Sequence, residues 1–132
     1  MKPTLSKENY LEAILFLSEN NDYVKSVHLA VYLGYSKPSV SIALKKLTKD
    51  KLVEITKEKN IILTEVGYQL ACELNKRHNI VKALLIHIGV KKEMAEKEAC
   101  AIEHVISLHT CNIIKQFLKK QNLKIDLESL LS

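Results

Sequence analysis

The segment from Val27 to Thr64 constrains the fold most. Val27, Leu29, Ala30 and Leu33 have the spacing of one helix face, Gly34-Tyr35 interrupts them, and a second stripe follows at Val40, Ala43, Leu44 and Leu47. Ser36 is placed to cap the second helix, Lys37 to Thr48, with Pro38 in its first turn. Leu52-Val53-Glu54-Ile55 and Ile61-Ile62-Leu63-Thr64 then read as two strands. Between them lies the polar tip Thr56-Lys57-Glu58-Lys59-Asn60, with Asn60 as the predicted turn residue. Two short helices joined by a glycine turn and running straight into a basic hairpin predict a winged helix-turn-helix.

The remaining segments are helical in pattern. Ser6 to Glu19 carries a broad apolar stripe (Tyr10, Leu11, Ile14, Leu15, Phe16, Leu17), with Ser6 as the predicted N-cap and Asn20-Asn21-Asp22 as the polar stop. Thr64 opens a helix to about His78, which Ile80 to Ile88 continues or restarts before Gly89. Lys91 to Ala99 is charged and helix-prone, Ser107 can break or recap that helix, and Ile113, Ile114, Phe117 and Leu118 form a further amphipathic one. Only three glycines, two prolines and no tryptophan argue against an all-β chain. The predicted fold is therefore mainly α with one small β-hairpin: a winged helix-turn-helix over residues 1–72 and a helical domain over 73–132. Residues 121–132 are left without a conformation. The second half has more apolar stripes than so short a segment can bury, which predicts a homodimer.

Charge points to a partner. The chain carries a net charge of +5, and from Ser36 to Lys59 seven lysines stand against three acids. With Val40, Ala43, Leu44 and Leu47 turned inward, Lys37, Ser39, Ser41, Ile42, Lys45 and Lys46 face outward. Hydroxyls for base edges and lysines for phosphates suit double-stranded DNA, and Lys57 and Lys59 add charge at the hairpin tip. No apolar window has the length of a membrane span and Met1 to Ser6 lacks a signal-peptide core, so the expected location is the cytoplasm.

Chemistry concentrates in Cys100-Ala101-Ile102-Glu103-His104-Val105-Ile106-Ser107. On a helix, Cys100, Glu103 and His104 share one face and offer a thiol, a carboxylate and an imidazole to a metal ion, beside an apolar stripe of Ile102, Val105 and Ile106. The competing reading is a buried cysteine, a surface glutamate and a histidine making one hydrogen bond. Three cysteines (Cys72, Cys100, Cys111) without CxxC spacing argue against a disulfide framework and leave thiols free for metal. A nucleophile–base pair of Cys100 and His104 lacks an orienting third group and a glycine-rich oxyanion loop, so no enzyme is expected.

Several motifs together resemble the diphtheria toxin repressor and manganese transport regulator family. They are Tyr10-Leu11-Glu12, Ser36-Lys37-Pro38-Ser39-Val40-Ser41, Ile62-Leu63-Thr64-Glu65-Val66-Gly67, Lys76-Arg77-His78, and Glu98-Ala99-Cys100 through Ser107. The resemblance runs from about Ser6 to Leu118 and does not include the family's SH3-like domain. It implies a metal-activated repressor of metal-uptake genes, bound as a homodimer to a palindromic operator. It places metal ligands at Asn9, Glu12, His78, Cys100, Glu103 and His104, and adds Ser36 and Pro38 to the DNA-facing residues. The manganese branch has Asp and Glu where Asn9 and Cys100 stand; the iron branch has Met and Cys. The implied ion is Fe²⁺ or Mn²⁺, with Zn²⁺ or Co²⁺ able to bind in vitro, since a thiolate raises affinity for zinc. Two positions of an ancillary site in the iron branch fall on Lys82 and Glu96, where a lysine does not suit a metal. The alternative is a winged-helix regulator that needs no metal and senses a small molecule or thiol oxidation.

Overall fold

A computed structural model describes residues 3–121. The elements are α1 (Pro3–Asn20), α2 (Ser26–Leu33), α3 (Lys37–Lys49), β1 (Val53–Ile55), β2 (Ile61–Leu63), α4 (Glu65–His87), α5 (Lys92–Ile102) and α6 (Leu108–Lys120). The chain divides into two compact units, with the division between Cys72 and Glu73 inside α4.

In the first unit, local signals set each boundary. α1 continues back to Pro3, so Ser6 lies within the helix and not at its cap. Proline tolerates a first helical turn because its missing N–H has no partner to lose there. At the other end the Asn20 and Asn21 side-chain amides donate to the Phe16 and Leu17 carbonyls at 2.7 and 2.9 Å. Gly34, with φ 71°, gives α2 a left-handed end, and Ser36 caps α3 by accepting from Ser39 N–H at 3.3 Å. Strands β1 and β2 pair antiparallel with Val53 opposite Leu63 and Ile55 opposite Ile61. Fully buried Leu11, Ile14, Leu29, Val40, Leu47 and Val53 join α1, α2, α3 and the hairpin in one core. Each such side chain contributes roughly 1.5–3 kcal/mol.

A three-residue ladder is too short to stand alone, and the loop after α1 supports it. Val24 C=O accepts from Ile61 N–H at 2.7 Å, and the Lys25 ammonium donates to the Glu58 carbonyl at the hairpin tip. The left-handed residue of that tip is Lys59, φ 68°, and not Asn60. Thr56 C=O accepts from Lys59 N–H at 2.9 Å while Thr56 N–H donates to Asn60 C=O at 2.9 Å, so the three residues between them form the turn and the reversal falls on the last.

The hairpin returns into α4 through Thr64, whose hydroxyl accepts from Gly67 N–H at 3.1 Å and donates to Lys51 C=O at 2.8 Å. This draws the first turn of α4 onto the start of β1. A Cβ on Gly67 would stand 2.0 Å from the Leu52 carbonyl oxygen. In the second unit α4 continues unbroken through Ile80 to His87, and its Ala83 and Leu84 pack on Ile114 and Leu118 of α6. Ser107 caps α6 by accepting from Thr110 N–H at 3.1 Å. Residues 122–132 lie outside the described residues.

Gly67→Ala is expected to destabilise the protein by about 3 kcal/mol, because backbone must move on both sides of the contact. Urea or thermal unfolding checks this; a midpoint within error of the parent would show that the turn yields without cost.

Candidate metal centre and nucleic-acid interface

His78 projects from α4, Cys100 from the last turn of α5, and Glu103 from the residue that ends α5. The helix stops at Ile102, so Glu103 and His104 stand in the turn beyond it, short of the continuous helix that the spacing predicts. Glu103 keeps helical dihedrals (φ −56°, ψ −28°), which preserves its alignment with Cys100 for one residue more. Among the described residues, one donor atom each of His78, Cys100 and Glu103 lie within 4.8 Å of one another. The same limit holds between donors of Glu103 and His104.

Burial reverses the competing expectation. Glu103 is the fully buried member, at 0% exposure, and Cys100 is exposed. A buried carboxylate needs a cation or several donors, since removal from water costs several kcal/mol. His78 supplies one contact: its Nδ1 lies 3.0 Å from Glu103 Oε1. Glu103 Oε2 is buried with no hydrogen-bond partner among the described residues. An unsatisfied carboxylate oxygen beside a thiol and an imidazole fits a divalent transition ion, which such a mixed donor set accepts readily.

On its other edge His78 Nε2 lies 2.9 Å from Glu96 Oε2, and the Lys82 ammonium reaches the same oxygen at 3.0 Å. Hydrogen bonding with Cys100 and Glu103, against the opposing effect of burial and with help from Glu96, pushes the His78 pKa up to about 11. The two flanking carboxylates thus favour the protonated ring, which can donate to both. Burial alone would raise the Glu96 pKa, but hydrogen bonds from His78 and Lys82 outweigh it and hold the carboxyl below its usual range. Asn9 and Glu12 stand one turn apart on α1 of the first unit, both half-buried, and His104 is half-buried.

The predicted DNA face stands open on α3. Ser36, Lys37, Pro38, Ser39, Ser41, Ile42, Lys45 and Lys46 are all exposed, with Ile42 at 69%. Ser36 Oγ also donates to Ser39 Oγ at 2.9 Å, so these hydroxyls are pre-positioned by one another at the helix start. Lys57 and Lys59 are exposed on the hairpin tip. A groove lined by Ser41, Lys45, Thr48, Ile55 and Lys59 separates α3 from the hairpin. Asp50, an acid among the lysines, is paired with Lys7 at 2.8 Å; that hydrogen bond, with Lys46 and Lys49 nearby, holds its carboxyl below the usual range. Pattern reading did not single out Lys7 or Lys25. Both act through partners distant in sequence.

Two family models match the chain: "Iron dependent repressor, N-terminal DNA binding domain" over residues 3–61, and "Iron dependent repressor, metal binding and dimerisation domain" over residues 64–124. The transcriptional regulator MntR of Escherichia coli O6:H1 is 33% identical over 117 residues, which covers 89% of this chain and 76% of that protein. The HTH-type regulator MntR of Bacillus subtilis is 29% identical over 131 residues, covering 96% and 92%. Among solved structures, the manganese regulator SloR superposes with a TM-score of 0.76 at 31% identity, covering 86% of this chain and 53% of that one. A manganese-dependent transcriptional repressor in complex with manganese gives 0.79 at 26%, covering 86% and 52%. The chain thus spans about half the length of these solved proteins.

If Cys100 is a ligand, the Co²⁺-loaded protein should show a thiolate-to-metal charge-transfer band that Cys100→Ser abolishes, and the substitution should weaken Zn²⁺ more than Mn²⁺. An unchanged spectrum would remove Cys100 from the donor set.

Proposed function

Since the chain belongs to the iron-dependent repressor family, we propose that it is a metal-activated, DNA-binding transcriptional repressor of metal-homeostasis genes, acting as a homodimer on a palindromic operator in the cytoplasm. The observation that carries this reading is the buried Glu103 carboxylate with an unpartnered oxygen, set against His78 and Cys100. Among the described residues no helix is long and apolar enough to cross a membrane. The half of the chain matched by the dimerisation model exposes Leu108, Ile113 and Phe117 on α6, an apolar face suited to a second copy.

The proposed ligands are His78, Cys100, Glu103 and His104 of the second unit with Asn9 and Glu12 of the first. A bound Fe²⁺ or Mn²⁺ supplies charge and a demand for several donors at fixed angles. Glu12, Cys100 and Glu103 would bring the negative charge, and Asn9 would offer a neutral amide oxygen. To ligate through Nδ1, His78 would have to be without a proton there, so metal uptake would release protons. Ligands drawn from both units tie residues 1–72 to residues 73–132 in the arrangement that sets two recognition helices one DNA turn apart. A hundredfold gain in operator affinity requires about 2.7 kcal/mol of coupling. The oxygens of Asn9, Glu12 and Glu103 favour Mn²⁺, while Cys100 draws the site toward Fe²⁺ and Zn²⁺.

At fixed salt, operator DNA should bind about a hundredfold more tightly with Mn²⁺ or Fe²⁺ than with chelator. Equal affinities would overturn the metal switch. Loss of binding on oxidation of Cys100, with no metal uptake, would favour a thiol sensor instead. Separately, alanine at Lys57 and Lys59 should weaken binding on all sequences and reduce the salt slope by about one for each phosphate that is no longer neutralised. An unchanged slope would leave these lysines as solubilising residues only.

A further inference from the structure

The proposed metal donors use one edge of the His78 ring, and the opposite edge is held by Glu96 and Lys82, the two ancillary-site positions at which this chain's lysine does not suit a metal. Nδ1 faces Glu103 at 3.0 Å, whereas Nε2 meets Glu96 Oε2 at 2.9 Å. The Lys82 ammonium lies 3.0 Å from that same Glu96 oxygen. Lys82 and His78 both belong to α4, one turn apart, so the helix presents ammonium and imidazole side by side to a carboxylate from α5. The Lys82 side chain is only 15% exposed, which confines the ammonium to this contact.

A histidine binds a metal through one nitrogen, and the hydrogen bond at the other fixes the tautomer and the plane of the ring. Here the second bond has an acceptor whose own position is fixed by a cation. Lys82 and Glu96 together carry no net charge, so their influence on an ion at Nδ1 is orientation and not added attraction. With its oxygen shared by His78 and Lys82, Glu96 is also kept from turning to ligate the ion itself.

We propose that Glu96 and Lys82 are positioning residues of the metal centre: Glu96 holds His78 with Nε2–H donating and Nδ1 open to the ion, and Lys82 acts only by holding Glu96. This rests on the metal-dependent reading above and extends it to residues outside the coordination sphere.

The test uses the full chain. In the Zn²⁺-loaded protein, long-range ¹H–¹⁵N spectra should show His78 protonated at Nε2 and metal-bound at Nδ1; metal at Nε2 with a proton at Nδ1 would overturn the proposal. Glu96→Ala should lower Mn²⁺ affinity about 10- to 100-fold at a temperature where the metal-free variant is still fully folded, its thermal midpoint falling through loss of the His78 and Lys82 contacts. Glu96→Gln, which keeps an acceptor oxygen, should recover most of it. Lys82→Met should lower affinity by itself but have no further effect in the Glu96→Ala background, as two members of one chain of contacts require. Additive losses, or no loss with Glu96→Ala, would refute it. A parent protein that takes up no metal would instead refute the metal-dependent reading, a result none of the variants can mimic.

Discussion

The contact between His78 and the buried Glu103 carboxylate is the constraint around which the second unit is organised. A carboxylate with no access to water is tolerated only where a donor or positive charge is brought to it, and α4 brings the His78 imidazole to 3.0 Å. Glu103 reaches this contact from the residue just past α5, where helical dihedrals keep it in line with Cys100 on the last turn.

Much of the fold was legible because its signals are local. Gly34 with a positive φ, Ser36 and Ser107 as caps, and Thr64 accepting from Gly67 each act within four residues of themselves. The inward stripe Val40, Leu44 and Leu47 follows from helical period alone. Local signals misled where two were available. Ser6 is a good cap, but the helix extends past it to Pro3, and Asn60 is a good turn residue, but the register of Val53 with Leu63 puts the reversal on Lys59.

The candidate site was legible in its residue types and not in its environment. Spacing groups Cys100 with Glu103, but it cannot tell which is buried, since that depends on the fit of α4 against α5. The surprise that glutamate is inside and cysteine outside is a tertiary effect of this kind. So is the pairing of Glu96 with His78 and Lys82, because each joins α5 to a different turn of α4. Lys25 and Lys7, which steady the hairpin tip and neutralise Asp50, have partners far along the chain and leave no mark in any periodicity.

The loop between α1 and α2 has a consequence of its own. Because Val24 extends the β2 edge and Lys25 grips the tip carbonyl, the height of the hairpin above α3 is set by residues that need not touch nucleic acid. Changes at Val24 or Lys25 would therefore act like a change in the length of a spacer, tilting Lys57 and Lys59 toward or away from the double helix. Among proteins with the same recognition helix, this loop offers an independent route to altering how strongly, and on how wide a stretch of backbone, the hairpin engages.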